Sequence, residues 1–157
     1  MRNLILGLLV AALTLGTSAR VLGSDVQESQ SVLKDLSVAQ LEAKGDNARF
    51  NKDFAEAVRY FEAAIRRDSR NAVLHNKLGL THLRQNDLKA ARFNFQKAGK
   101  LNSKYADAMN NLGAVYYMQK DFGAAARQFK KAVALDETRS TFHVNLGAAW
   151  FGQKKLD

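Results

Sequence analysis

Residues 110–129, NNLGAVYYMQKDFGAAARQF, place a glycine inside a stretch that is otherwise helical in character. Glycine in a helix interior costs about 1 kcal/mol relative to alanine, so Gly113 needs a reason. The pair is not isolated. Leu78-Gly79, Leu112-Gly113 and Leu146-Gly147 stand 34 residues apart, and Gly45 lies 34 residues before Gly79. Four glycines in one register mark an internal repeat, with units at 38–71, 72–105, 106–139 and 140–157.

Each unit reads as a pair of helices. A polar break after the glycine column ends in Asp53, Asp87 and Asp121, and aspartate is a strong N-cap because its carboxylate accepts a bond from an otherwise unpaired backbone N–H. Asp53 with Glu56, and Ser37 with Gln40, have capping-box spacing. Phe54, Leu88 and Phe122 follow, then Ala57, Ala91 and Ala125, then Phe61, Phe95 and Phe129, then Ala64, Ala98 and Ala132. Spacings of 3, 4 and 3 trace one face of an α-helix. Small residues, Gly in the first helix and Ala in the second, are expected to let the two axes approach, with the Phe column filling the space beside them. A pair of this size cannot bury its face alone, so units must stack. The first unit is the most divergent, with Lys44 where the others have Leu, and the chain reaches KKLD at 154–157 where the fourth unit's second helix would begin.

These columns resemble the tetratricopeptide repeat, and the match spans 38–157. The resemblance implies an all-α, right-handed α-solenoid of helix-turn-helix units with the last repeat incomplete. Two departures stand out. Ser69, Ser103 and Glu137 replace the family's proline after the second helix, which predicts less restrained turns between units, and Ala48, His82, Tyr116 and Trp150 occupy a column where the family often has Tyr. In this family the first helices line a concave groove that meets peptide ligands. Carried over by column, the groove residues are Val73, Asn76, Lys77, Leu80, Leu83 and Arg84, then Asp107, Asn110, Asn111, Ala114, Tyr117 and Met118, then Thr141, Val144, Asn145, Ala148 and Phe151. An amide side chain both donates and accepts, so repeated Asn suits an extended peptide backbone, with Leu80, Leu83, Tyr117, Met118 and Phe151 as apolar anchors. One family subtype clamps chaperone-tail carboxylates with basic residues. Its positions here hold Glu42, Asp46, Asp107 and Asn111, and acids there repel a carboxylate, so the clamp is not expected.

The first residues have a different character. Arg2, an apolar run from Leu4 to Leu15, and small residues around Ala19 form the layout of a secretory signal peptide, cleaved after Ala19 or Gly23. Export to a periplasmic or secreted location is therefore expected; the alternatives are an uncleaved N-terminal membrane anchor and a buried helix. Residues 24–37 read as a polar spacer.

The 157-residue chain has no Cys and no Pro, which excludes disulfides, thiolate metal sites and cysteine nucleophiles. His75, His82 and His143 are the only histidines, and two stacked units would separate them, so they are taken as packing residues rather than a metal site. No motif for a catalytic residue or cofactor is present. The functional expectation is a non-enzymatic scaffold or adaptor that binds protein or peptide segments, without specific nucleic-acid binding. The alternative is a basic surface module docking on an anionic lipid, polysaccharide or nucleic acid. The net charge is +9, with Arg59, Arg66, Arg67, Arg70, Arg92, Lys97, Lys100, Lys104, Arg127, Lys130 and Lys131 on the second helices and turns. Finally, a fourth unit with only its first helix would leave Leu146, Gly147 and Trp150 open to water, predicting self-association or fraying through 140–157.

Overall fold

The computed structural model describes residues 33–155; the expected leader and most of the spacer lie outside this range. From Ser37 onward the chain forms one compact unit. Its helices are α1 (Val38–Phe50), α2 (Phe54–Arg67), α3 (Ala72–Arg84), α4 (Leu88–Leu101), α5 (Ala106–Met118), α6 (Phe122–Leu135) and α7 (Ser140–Lys154). Among the described residues there is no strand, and no helix is long and apolar enough to cross a membrane. Each helix packs antiparallel on the next, giving three helical hairpins and a seventh helix in an all-α repeat solenoid.

The turn inside each hairpin is built the same way three times. Helix α1 closes with Lys52 N–H bonded to Arg49 C=O and Asp53 N–H bonded to Ala48 C=O, and α3 and α5 close through the equivalent bonds. This is a Schellman ending, and it puts Lys52, Asn86 and Lys120 at φ of 64°, 61° and 61°. The next residue already caps the following helix. The carboxylates of Asp53, Asp87 and Asp121 accept from the backbone N–H of Glu56, Ala90 and Ala124 at 3.1, 2.9 and 2.9 Å. At Ser37 the expected capping box is complete. At Asp53 it is not. Its N–H is already bonded to Ala48 C=O, and the Glu56 carboxylate turns to Arg59 at 2.7 Å instead.

The glycine column has a different purpose from the one expected. A β-carbon added to Gly45 would lie 2.6 Å from the Phe61 ring, at Gly79 2.6 Å from Phe95, and at Gly113 2.7 Å from Phe129. The glycine makes room for the phenylalanine itself, face to backbone, rather than for close contact with alanine. Each ring is almost wholly buried, so the burial of an aromatic side chain offsets the helix-propensity cost of the glycine. At Gly147 nothing lies within 4 Å.

The turns between units are also restrained, despite the absence of proline. Asp68 and Asn102 bond forward to the Asn71 amide and the Lys104 N–H, and Asp136 accepts from both the N–H and the hydroxyl of Thr138. His75 Nε2 lies 3.2 Å from Ser69 C=O, and His143 Nε2 lies 2.9 Å from Glu137 C=O, the places where proline was expected. Leu146 also departs from expectation. It is buried against Ala125, Ala126 and Phe129 of α6, because it faces the preceding hairpin. Gly147 and Trp150 do stand exposed.

Candidate functional site

Helices α1, α3, α5 and α7 stand side by side and form the layer that carries the candidate groove. A line of polar bonds joins them. Lys77 Nζ reaches back to Glu42 Oε1 at 2.6 Å and Asp46 Oδ2 at 2.5 Å. One unit on, Asn111 Nδ2 donates to Asn76 Oδ1 at 3.0 Å, and one unit further Asn145 Nδ2 donates to Asn110 Oδ1 at 2.8 Å. Position 77, 111 or 145 thus donates each time to position 42, 76 or 110 of the preceding unit. Asn76 passes the chain on by donating to the Tyr105 hydroxyl at 3.2 Å. At the outer edge Arg139 pairs with Asp107 at 2.6 Å and Asp136 at 3.1 Å, with its guanidinium over the Phe142 ring.

These contacts set the local electrostatics. Burial alone would lower the Lys77 ammonium, but its hydrogen bonds to Asp46 and Glu42 outweigh that and raise its pKa. Burial, and then the Asp107 charge, raise the Tyr105 phenol. Asp136 is held below the ordinary carboxylate range by its bond from the Thr138 hydroxyl, assisted by Arg139.

The expected groove residues fall into three groups. Asn76 is 5% exposed and both ends of its amide are engaged inside the protein, so it is structural rather than presented to a ligand. Leu80 and Leu83 are half-buried against Ala91, Phe95, Leu112 and Val115, and Ala114 is half-buried against the cluster of Phe129 and Leu146. Asn110, Asn111, Asn145 and Ala148 are half-buried. Asn110 Nδ2, Asn111 Oδ1 and Asn145 Oδ1 have no bond to another described residue. Lys77 is half-buried in its carboxylate pair, and Arg84 is exposed.

The third group is apolar and faces water. Tyr117 is 40% exposed, Met118 49%, Val144 68% and Phe151 72%, with Val73 exposed at the far side of the same layer. The Tyr117 ring meets Phe122 edge-on with centroids 5.1 Å apart. Phe50, at 87% exposed, belongs to the same set; its 34-residue spacing to Arg84 and Met118 was the signal that could have found it. Among the described residues, six of the nine exposed large hydrophobics lie on these ligand columns, so exposed apolar surface there is concentrated on the first-helix layer. The histidines are dispersed: His75 is buried beside Asn94, His82 is half-buried and His143 is exposed. Among the described residues no three His, Cys, Asp or Glu side chains gather as a metal site.

No curated protein sequence matches. Among solved structures, the chain is similar to the tetratricopeptide domain of OM64 from Arabidopsis, at 21% identity over 72% of this chain and 93% of that one, with a TM-score of 0.70. It is similar to the first such domain of Spaghetti (RPAP3) bound to the HSP90 peptide SRMEEVD, at 18% identity, coverage of 75% and 94%, and a TM-score of 0.73. It is also similar to MamA, at 24% identity, coverage of 80% and 74%, and a TM-score of 0.73. At such identities these likenesses establish the fold. The sequence profile of the tetratricopeptide repeat family matches residues 42–99 and 77–140, well over half of the chain, and the protein therefore belongs to that family.

Proposed function

We propose that this protein is a non-catalytic interaction module that holds peptide segments of a partner protein against its first-helix layer. The observation that carries this is the concentration of exposed Tyr117, Met118, Val144 and Phe151 beside the open amide atoms of Asn110, Asn111 and Asn145. Apolar side chains of a ligand would be desolvated at the first set. The second set would take main-chain N–H and C=O groups of an extended segment. The Spaghetti domain, a structural neighbour, carries a bound peptide. Its acidic tail is a poor model for the ligand here, because Glu42 and Asp46 already neutralise Lys77 and Asp107 faces Arg139. The ligand is instead apolar and extended. Export of the chain after removal of residues 1–19 or 1–23 would place this encounter outside the cytoplasm.

Selection of displayed peptides on the folded chain tests the groove. Selected peptides should carry two or more apolar side chains at alternate spacing. Their binding, read by fluorescence anisotropy, should weaken at least tenfold in Tyr117→Ala/Phe151→Ala and be unchanged in Lys97→Glu. Equal binding by the groove variant would place the interaction elsewhere.

A further inference from the structure

The layer opposite the groove has its own character. Helices α4 (LKAARFNFQKAGKL) and α6 (FGAAARQFKKAVAL) contain Lys89, Arg92, Lys97, Lys100, Arg127, Lys130 and Lys131 and no acidic residue. All of these except half-buried Arg92 are exposed. Among the described residues, no carboxylate pairs with Lys89, Lys97, Lys100, Arg127, Lys130 or Lys131. The acids of the second helices, Glu56 and Glu62, are confined to α2.

Within this charge stands one aromatic ring. Phe93 is 65% exposed, and it is the only aromatic side chain of α2, α4 and α6 that is exposed rather than half-buried or buried. Lys89, Phe93, Lys97 and Lys100 follow one another at i, i+4, i+8 and i+11, which is a single helix face. One unit later the columns of Phe93 and Lys97 hold Arg127 and Lys131, so the stripe continues onto α6. A phenyl ring framed by lysines matches the interface of an anionic bilayer. The ammonium groups meet lipid phosphates while the ring enters the boundary with the acyl chains. A single-stranded nucleic acid would instead call for several exposed rings on which successive bases stack, and the neighbouring Phe61, Phe95 and Phe129 are buried.

We propose that the outer face of α4 and α6 is a docking surface for a bilayer rich in anionic phospholipid, with Phe93 as its inserted residue. This surface is separate from the groove and does not depend on it. The two faces together would let the protein lie on a membrane while its peptide-holding layer stays turned to solvent.

The apolar run at 4–15 can bind any vesicle, so bulk sedimentation is not the readout. Fluorescence at position 93 is. Trp150 is the only tryptophan in the chain, so Trp150→Phe/Phe93→Trp gives the whole 157-residue chain one reporter, on the proposed face. Vesicles of phosphatidylglycerol and phosphatidylcholine should shift its emission to the blue and expose it to quenching by brominated acyl chains, while vesicles of phosphatidylcholine alone should do neither. Each basic residue near such a surface contributes on the order of fivefold in partitioning. Adding Lys97→Glu, Lys100→Glu and Lys131→Glu should therefore raise the lipid concentration for half-maximal shift by about 100-fold or more. Circular dichroism checks that this variant stays helical, and if it does not, high salt on the parent should produce the same loss. A reporter unmoved by anionic vesicles overturns the proposal. So does a reporter that responds to a single-stranded oligonucleotide able to displace the vesicles, which would assign the face to nucleic acid.

Discussion

Substituting alanine at Gly113 and at Gly147 makes the same chemical change at equivalent positions, and the structure assigns the two changes opposite signs. In a helix interior, Gly→Ala gains about 1 kcal/mol from backbone entropy and propensity. At Gly147 the new methyl meets nothing within 4 Å, so that gain stands alone. At Gly113 the methyl would lie 2.7 Å from both Cδ1 and Cε1 of Phe129, a ring 2% exposed with no room to retreat. Forcing an extra carbon into such packing costs about 1–3 kcal/mol. The net expectation is destabilisation by up to about 2 kcal/mol at Gly113 and stabilisation by about 0.5–1 kcal/mol at Gly147. Urea unfolding followed by circular dichroism measures the first, and hydrogen exchange of α7 amides measures the second. A second-site change, Phe129→Leu, should recover part of the loss in Gly113→Ala by removing the obstructing ring atoms. If Gly113→Ala stabilises as much as Gly147→Ala, the ring does not occupy the glycine's space and the packing account is wrong.

Lys120→Gly should stabilise by about 0.5–1 kcal/mol in thermal melts, because a lysine at φ of 61° carries left-handed strain that glycine relieves. Asn76→Ala should cost about 1–3 kcal/mol in urea unfolding, since it removes partners from both the Asn111 amide and the Tyr105 hydroxyl; a cost near zero would mean the amide line is ornamental. Asp136 has a depressed folded pKa, so its contribution is complete above the ordinary carboxylate range and disappears as the pH falls through the lower folded value. Asp136→Asn should accordingly flatten part of the decline in melting temperature below about pH 4. In a polypeptide of these residues, Trp150→Ser should abolish concentration-dependent association in light scattering, and association that persists would place the contact away from α7.

The helical hairpins and the aspartate caps inside them could be read from the sequence because repetition turns packing into periodicity. A column of Ala, Phe and Ala at helical spacing can only be a buried stripe, and Asp before it can only be a cap. The partner of the glycine column was not legible. Columns give the face of a helix but not which of several facing columns fills a given gap. The amide line was hidden for a related reason, since the pairing of Asn111 with Asn76 and of Asn145 with Asn110 runs between units and depends on how they stack. Leu146 shows the same blind spot, because helical spacing alone did not say that it faces the preceding hairpin. Lys52 and Lys120 gave no hint of positive φ, a conformation that lysine composition does not advertise. Family resemblance gives the groove columns, but which of their members are buried, half-buried or exposed is set by how the units stack.

The donor–acceptor line across the first helices also works as an ordering code. The first junction is ionic, Lys77 with Glu42 and Asp46, while the next two are neutral amide pairs. Units are therefore not interchangeable modules. Moving the third unit directly behind the first would set Asn111 against Glu42 and strand Lys77 without its counter-charges. The line changes character in the fourth unit. In the fourth unit the acceptor position is Val144, so a hairpin stacked beyond α7 would bring a donor to a side chain that can accept nothing. Carrying the amide line past α7 would require Val144→Asn.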